Sequence, residues 1–264
     1  MCNETMKRME RPFLAVAACA AALVAFAAAP VRAQDSIAQR LSMDRLANIQ
    51  PGSYLAGDRV KFTLDPLGDN YLLRFEGSPE VFVLYADHAS LGGRVLKFDS
   101  GETAIQVTVW GGLTLYTDAQ PGGLPAVRTG DSVVPTPPPL GLSDMQNAAA
   151  DEAQHLAYTR RLQLGFTADW SSLGDGATRA YAFDALENAA RGLDRYAASA
   201  QGHDALAHRV DAVAIAPSGG RPTLSLNGRT LVVTFNPGRG FLGRASSRAI
   251  AHSLPAVLDA SQKH

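Results

Sequence analysis

The residue pattern predicts an α+β protein: an N-terminal antiparallel β-meander (a curled sheet or small barrel) followed by an antiparallel sheet covered by helices. Three observations lead there. From Gly57 to Thr117, apolar and polar residues alternate and turn clusters interrupt them every few residues. From 118 to 142, Pro121, Pro125, Pro135, Pro137, Pro138 and Pro139, with four glycines, break both the strand and the helix period. Beyond 143, apolar spacing of three and four alternates with short runs rich in β-formers.

The first half divides at its turns. Residues 34–52 are a lead-in, with Ile37, Leu41 and Leu46 suggesting a brief helix ended by Pro51-Gly52. Val60, Phe62 and Leu64 then begin the alternation, and Asp65 to Asn70 form a turn cluster. Further strands are expected at 71–76, 80–86, 94–98, 102–110 and 113–117. The breaks between them are Gly77-Ser78-Pro79, Leu91-Gly92-Gly93, Asp99-Ser100-Gly101 and Gly111-Gly112. Six short strands with short connections make a meander. The stretch 118–142 is expected to be a linker or an extended surface arm, separating a meander region (34–117) from an α+β region (143–264).

In the second half Ser143-Asp144 can cap a helix running to about Arg160, and 162–168 reads as a strand. Phe183, Leu186, Ala190, Leu193 and Ala197 mark the strongest helix, from Ala177 to about Ala200, which 204–208 can continue. Residues 209–216 form a strand. Thr223–Leu226 and Arg229–Phe235 flank Asn227-Gly228, the clearest hairpin signal in the chain. A Gly-rich loop, 236–243, leads to a final helix capped by Ser246 or Ser247 and ending near Asp259.

The N-terminus carries an export signal. Lys7, Arg8 and Arg11 precede an apolar run from Pro12 to Pro30, and Val31-Arg32-Ala33 supplies the small residues of a cleavage site before Gln34. Residues 1–33 are therefore read as a signal peptide, and the protein as periplasmic or secreted. A lipoprotein site at Cys19 is the lesser alternative. The run is Ala-rich and barely long enough to span, so no transmembrane span is expected after cleavage. Removing Lys7, Arg8, Arg11 and Arg32 with Glu4 and Glu10 takes the net charge from −1 to −3. Both cysteines, Cys2 and Cys19, leave as well, so the mature chain must be held by packing alone.

Composition and motifs narrow the function classes. With 46% hydrophobic and 19% charged residues the chain is not a disordered one. Its near-neutral charge removes the electrostatic case for nucleic-acid binding. Gly238-Arg239-Gly240-Phe241-Leu242-Gly243 fits GxGxxG, yet a hairpin precedes it and no second parallel strand with an acidic end can follow. No cofactor is expected. Glu152 and His155 offer one helical carboxylate–histidine pair where a di-iron bundle needs two, and His203 and His208 point in different directions; no metal site is expected. No nucleophile elbow occurs, and Asp87-His88-Ala89-Ser90 is too local to be a triad.

Two candidate binding features remain. Arg239, Arg244 and Arg248 surround a Gly-rich turn and a helix N-terminus, where free N–H groups favour an anion. Trp110, Tyr116 and Tyr85 can form an aromatic patch on the meander. A binding module, for a small ligand or an envelope protein, predicts a concave apolar pocket on the meander with Trp110 or Tyr116 exposed to it. A periplasmic hydrolase or an anion-binding protein using the 238–248 loop is the alternative. An enzyme predicts convergent titratable groups near Asp151, Glu152, His155 or that loop.

Several short stretches carry a resemblance. They are Ser78-Pro79-Glu80-Val81, Trp110 to Thr117 together with Gly122-Gly123-Leu124-Pro125-Ala126, and Gly243-Arg244-Ala245-Ser246-Ser247, with Ala245 where the pattern has Pro. In these the chain resembles a family of exported alphaproteobacterial proteins known only as a domain of unknown function, over most of residues 50–255. The resemblance implies no activity, cofactor or catalytic residue.

Overall fold

A computed structural model describes residues 49–89 and 93–260. The export signal, the lead-in helix and the Leu91-Gly92 turn lie outside the described residues. The meander is a closed eight-stranded barrel: β1 (Gly52–Ala56), β2 (Val60–Leu67), β3 (Asn70–Phe75), β4 (Val81–His88), β5 (Arg94–Phe98), β6 (Thr103–Val107), β7 (Leu113–Thr117) and β8 (Gln120–Gly130). Each strand pairs antiparallel with the next, and β8 closes onto β1 (Leu55 opposite Val127, Ala56 opposite Ala126).

Two strands thus exceed the six expected, one from each flank. Gly52–Ala56, which runs on from the end of the expected lead-in, belongs to the barrel. Residues 120–130 belong to it and not to a linker. The prolines do not prevent the pairing, because a proline keeps its carbonyl: the Gly57 N–H donates to Pro125 O at 2.9 Å. Of the 118–142 stretch, only 131–141 runs without regular structure. This arm lies on the barrel wall, where Arg74 donates to Val133 O at 2.7 Å. Beneath it the buried Asp65 accepts from Arg74 at 2.9 Å and from the Ser132 hydroxyl.

Barrel closure turns every inward residue into core. Tyr54, Phe62, Phe75, Phe82 and Phe98 make a chain of ring contacts with successive centroids 5.2–6.4 Å apart. Leu64, Leu73, Leu84, Leu96, Ile105 and Leu115 fill the space around them, and Ile49 joins the same cluster. The barrel interior is a packed core.

The second half contains α1 (Leu142–Arg160), β9 (Gly165–Ala168), a 3-10 turn (Trp170–Leu173), α2 (Gly176–Tyr196), α3 (Ala200–Arg209), β10 (Ala212–Pro217), β11 (Leu224–Asn227), β12 (Thr230–Phe235), a 3-10 segment (Pro237–Gly243) and α4 (Ser247–Ala260). The α+β class holds, but strand direction in this sheet differs from expectation. The order is β11-β12-β10-β9, and β10 runs parallel to both β9 and β12; only β11 and β12 are antiparallel. The helices α2 and α3 between β9 and β10 supply the long crossover that parallel neighbours need. Phe166, Val213, Ile215, Leu231, Val233 and Phe235 pack with Leu186, Leu193, Ile250 and Leu254 of the helices. Gly192 lets α2 and α4 meet: a Cβ there would lie 2.6 Å from the Ile250 side chain and 3.0 Å from Ser247 O.

Candidate functional site

The Gly-rich segment before α4 ties the helical layer to the barrel. Val81 and Val83 alternate outward on β4, and with Leu72 they pack against Phe241. The chain then folds back on itself so closely that a Cβ on Gly243 would meet Asn236 O at 1.9 Å, which only glycine permits. From there, each successive polar residue finds a partner. Arg244, 4% exposed, pairs with Asp184 of α2 and donates to Val81 O at 2.6 Å. The Ser246 N–H and hydroxyl both donate to Asp99, the N–H at 2.8 Å. The Ser247 N–H and hydroxyl both donate to the buried Glu80 at 2.8 Å. Arg248 reaches Glu102 at 2.6 Å and Asp118 at 2.5 Å, with its guanidinium 4.4 Å from the centre of the Phe98 ring.

An α-helix N-terminus attracts negative charge because its first N–H groups lack intrahelical partners. Here Glu80 and Asp99 of the barrel supply that charge. The helix end expected to hold a foreign anion holds two carboxylates of the chain itself. Burial pushes the Glu80 carboxyl above its ordinary range; the Ser247 donors and the charges of Arg191 and Arg195 oppose the shift. Arg248 and Arg195 bracket Asp118 and outweigh its partial burial, holding its carboxyl below the ordinary range.

Two clefts flank this junction. The larger, about 670 Å³, opens between β4–β5, the loop before β11 and the 237–245 segment. Its lining includes the polar Tyr85, Arg221, Arg239 and Lys97 and the apolar Leu224, Leu242, Ala249 and Ile250. Lys97 pairs with Asp87 at 2.7 Å. Arg221 and Arg239 are exposed, and neither has a carboxylate partner among the described residues. Burial raises the Tyr85 phenol above its ordinary value and the charge of Asp99 adds to this, while Arg239, Arg221 and Arg244 pull it back. Asp99, also in this wall, already accepts from both Ser246 donors.

The second cleft, about 340 Å³, contains Tyr116, Glu80, Asp118, Arg191, Arg195 and Arg248. Arg191 and Arg195 carry it into a neighbouring hollow lined by Glu152, His155 and Asp194. Burial and the facing Glu187 raise the Glu152 carboxyl to about 7, against the charge of Arg191. Every arginine in this groove is paired: Arg191 with Glu187, Arg195 with Asp118, and Arg248 with Glu102 and Asp118.

The residues singled out from the sequence are therefore dispersed. Arg239 faces the larger cleft, Arg244 is buried at its base, and Arg248 belongs to the smaller one with Tyr116. Tyr116 donates its hydroxyl to Gln106 at 2.9 Å. Trp110 is 93% exposed at the β6–β7 turn and lines neither cleft. His203 lies 3.0 Å from Arg160 O and His208 lies 2.7 Å from Asp204 O. Among the described residues no three His, Cys, Asp or Glu groups converge as a metal would need, and no helix is long and apolar enough to cross a membrane. Arg221 and Lys97 had no signal in the sequence: an arginine in a turn and a lysine on a strand are ordinary until the fold sets them opposite Tyr85. Glu80 and the Arg244–Ser247 run stood in two of the short stretches that carry the resemblance, and here those stretches bind each other.

A family model described as a domain of unknown function, DUF4908, matches residues 35–254. The chain belongs to this family. The match takes in every barrel strand, the connecting arm, the junction and both clefts. No curated protein and no solved structure matches the chain.

Proposed function

We propose that this DUF4908 protein is exported and binds a small anionic ligand, without catalysis, in the cleft beside Tyr85. One observation carries the reading. Arg221 and Arg239 line the same cleft as Tyr85 and have no carboxylate partner among the described residues, whereas the other arginines at the junction are matched to acidic side chains. A guanidinium presents several donors in a fixed plane suited to carboxylate or phosphate, and two of them beside a phenol make a ready receptor. The cleft lies within the size range of small-molecule sites. Export rests on the Lys7-Arg8 to Ala33 signal pattern, with the working chain beginning at Gln34.

Calorimetric titration with inorganic phosphate tests the site. Saturable binding is expected, weakened at least tenfold in both Arg221→Ala and Arg239→Ala. Equal affinity in the variants sinks the proposal. Cell fractionation with N-terminal sequencing tests export: the protein is expected outside the cytoplasm, beginning at Gln34, and an intact N-terminus in the cytoplasm refutes it.

A further inference from the structure

The cleft is far larger than its cationic corner requires. A phosphate or carboxylate group displaces the volume of only about two or three waters at roughly 30 Å³ each, against about 670 Å³ here. The rest of the lining holds Thr223 and Ser253 and an apolar set from three separate elements: Leu224 from β11, Leu242 from the 3-10 segment, and Ala249 and Ile250 from the first turn of α4. Charged and apolar side chains thus share one concavity. Arg221, Arg239, Lys97 and the Tyr85 hydroxyl are polar groups able to fix a head, and the aliphatic groups can only exclude water. The one carboxylate in the lining, Asp99, keeps its charge while accepting both Ser246 donors, so set against Arg221 and Arg239 it leaves an excess of one positive charge.

Resting on the anion-binding reading above, we propose that the ligand is an amphiphile: one carboxylate or phosphate head at Tyr85–Arg221–Arg239, carrying an apolar body along Leu224, Leu242 and Ala249. A purely polar anion of the same charge leaves the apolar walls wet, and a neutral apolar molecule leaves the two guanidinium groups without a counter-charge. Each methylene buried against such walls improves affinity by about fourfold.

Four probes separate the contributions when titrated calorimetrically into the full chain below their aggregation concentrations: inorganic phosphate, octyl phosphate, octanoate and octanol. Octyl phosphate is expected to bind at least a hundredfold more tightly than inorganic phosphate, and octanoate at least tenfold more tightly than octanol. Arg239→Ala reduces octanoate to the octanol level. Ala249→Phe fills the exposed apolar wall and removes the advantage of octyl phosphate while inorganic phosphate binds as before. A Leu224→Ser variant provides the same readout should the larger side chain impair folding. If octanoate binds and octyl phosphate does not, the head is a carboxylate and the amphiphile inference stands. If inorganic phosphate and octyl phosphate bind alike, the amphiphile inference is wrong and the anion site remains. If octanol matches octanoate, or if nothing binds, the anion-binding reading falls as well.

Discussion

The junction at Arg244–Arg248 and the cleft at Arg221–Arg239 contain the same residue types in opposite states. In the junction, Arg244 is 1% exposed at its side chain and held by Asp184, and Glu80 and Asp99 close the end of α4. In the cleft a few residues away, Arg239 from the same Gly-rich segment and Arg221 from the preceding loop face open space. An arginine is structural where the fold presents a carboxylate at hydrogen-bond distance, and available to a ligand where it does not. The difference follows from what each arginine faces, not from its immediate neighbours in the chain.

The largest test of that contrast is Arg244→Ala. It strands the Asp184 carboxylate and the Val81 carbonyl beside a buried face, and should cost about 3–5 kcal/mol, read as a loss of unfolding free energy in denaturant titration. A cost near zero would show that the junction is not held by this pair. Ser247→Ala should follow at about 1–3 kcal/mol, because one buried Glu80 oxygen loses its hydroxyl donor while the backbone N–H remains.

Glu152 sharpens the comparison from another side, since it faces a carboxylate where Glu80 faces donors. Its carboxyl, raised to about 7 from 4.5, keeps in the folded state a proton that the unfolded chain gives up. Stability from this group is therefore complete below about pH 4.5 and is lost as pH rises through about 7. Glu152→Gln should flatten the dependence of Tm on pH between 5 and 8, and an unchanged slope would show that another group is responsible. The smallest stability effect belongs to the cleft. Arg221→Ala and Arg239→Ala should each shift stability by less than about 0.5 kcal/mol, although they remove binding. A large destabilisation in either would place that arginine with Arg244 and not with the cleft.

Much of the fold was legible residue by residue. The Thr223–Phe235 hairpin declared itself by Asn227-Gly228 between two apolar alternations, and α2 by Phe183, Leu186, Ala190 and Leu193. Other elements were not legible, for physical reasons. Strand β8 contains Pro121, Gly122, Gly123 and Pro125, poor strand formers; its first half pairs with β7, and its second half, 126–130, is held by β1 some seventy residues earlier in the chain. The direction of β10 depends on where two helices return the chain. Arg239, Arg244 and Arg248 stand close together in the chain, but Asp184, Glu102 and Asp118, the partners of the last two, lie sixty to more than a hundred residues away. Trp110 drew attention as an aromatic beside two glycines, yet its turn projects it into solvent.

Local chemistry alone specified the alternation of the barrel strands, the caps and faces of the helices, and the absence of cysteine beyond Cys19. These depend on neighbours within a few positions, so the order of residues carries them. Barrel closure, the mixed sheet and the division of arginines between a buried junction and an open cleft depend on which distant groups come to stand within hydrogen-bond reach. Coulomb and hydrogen-bond energies vary steeply over those few ångströms, and packing sets the distances.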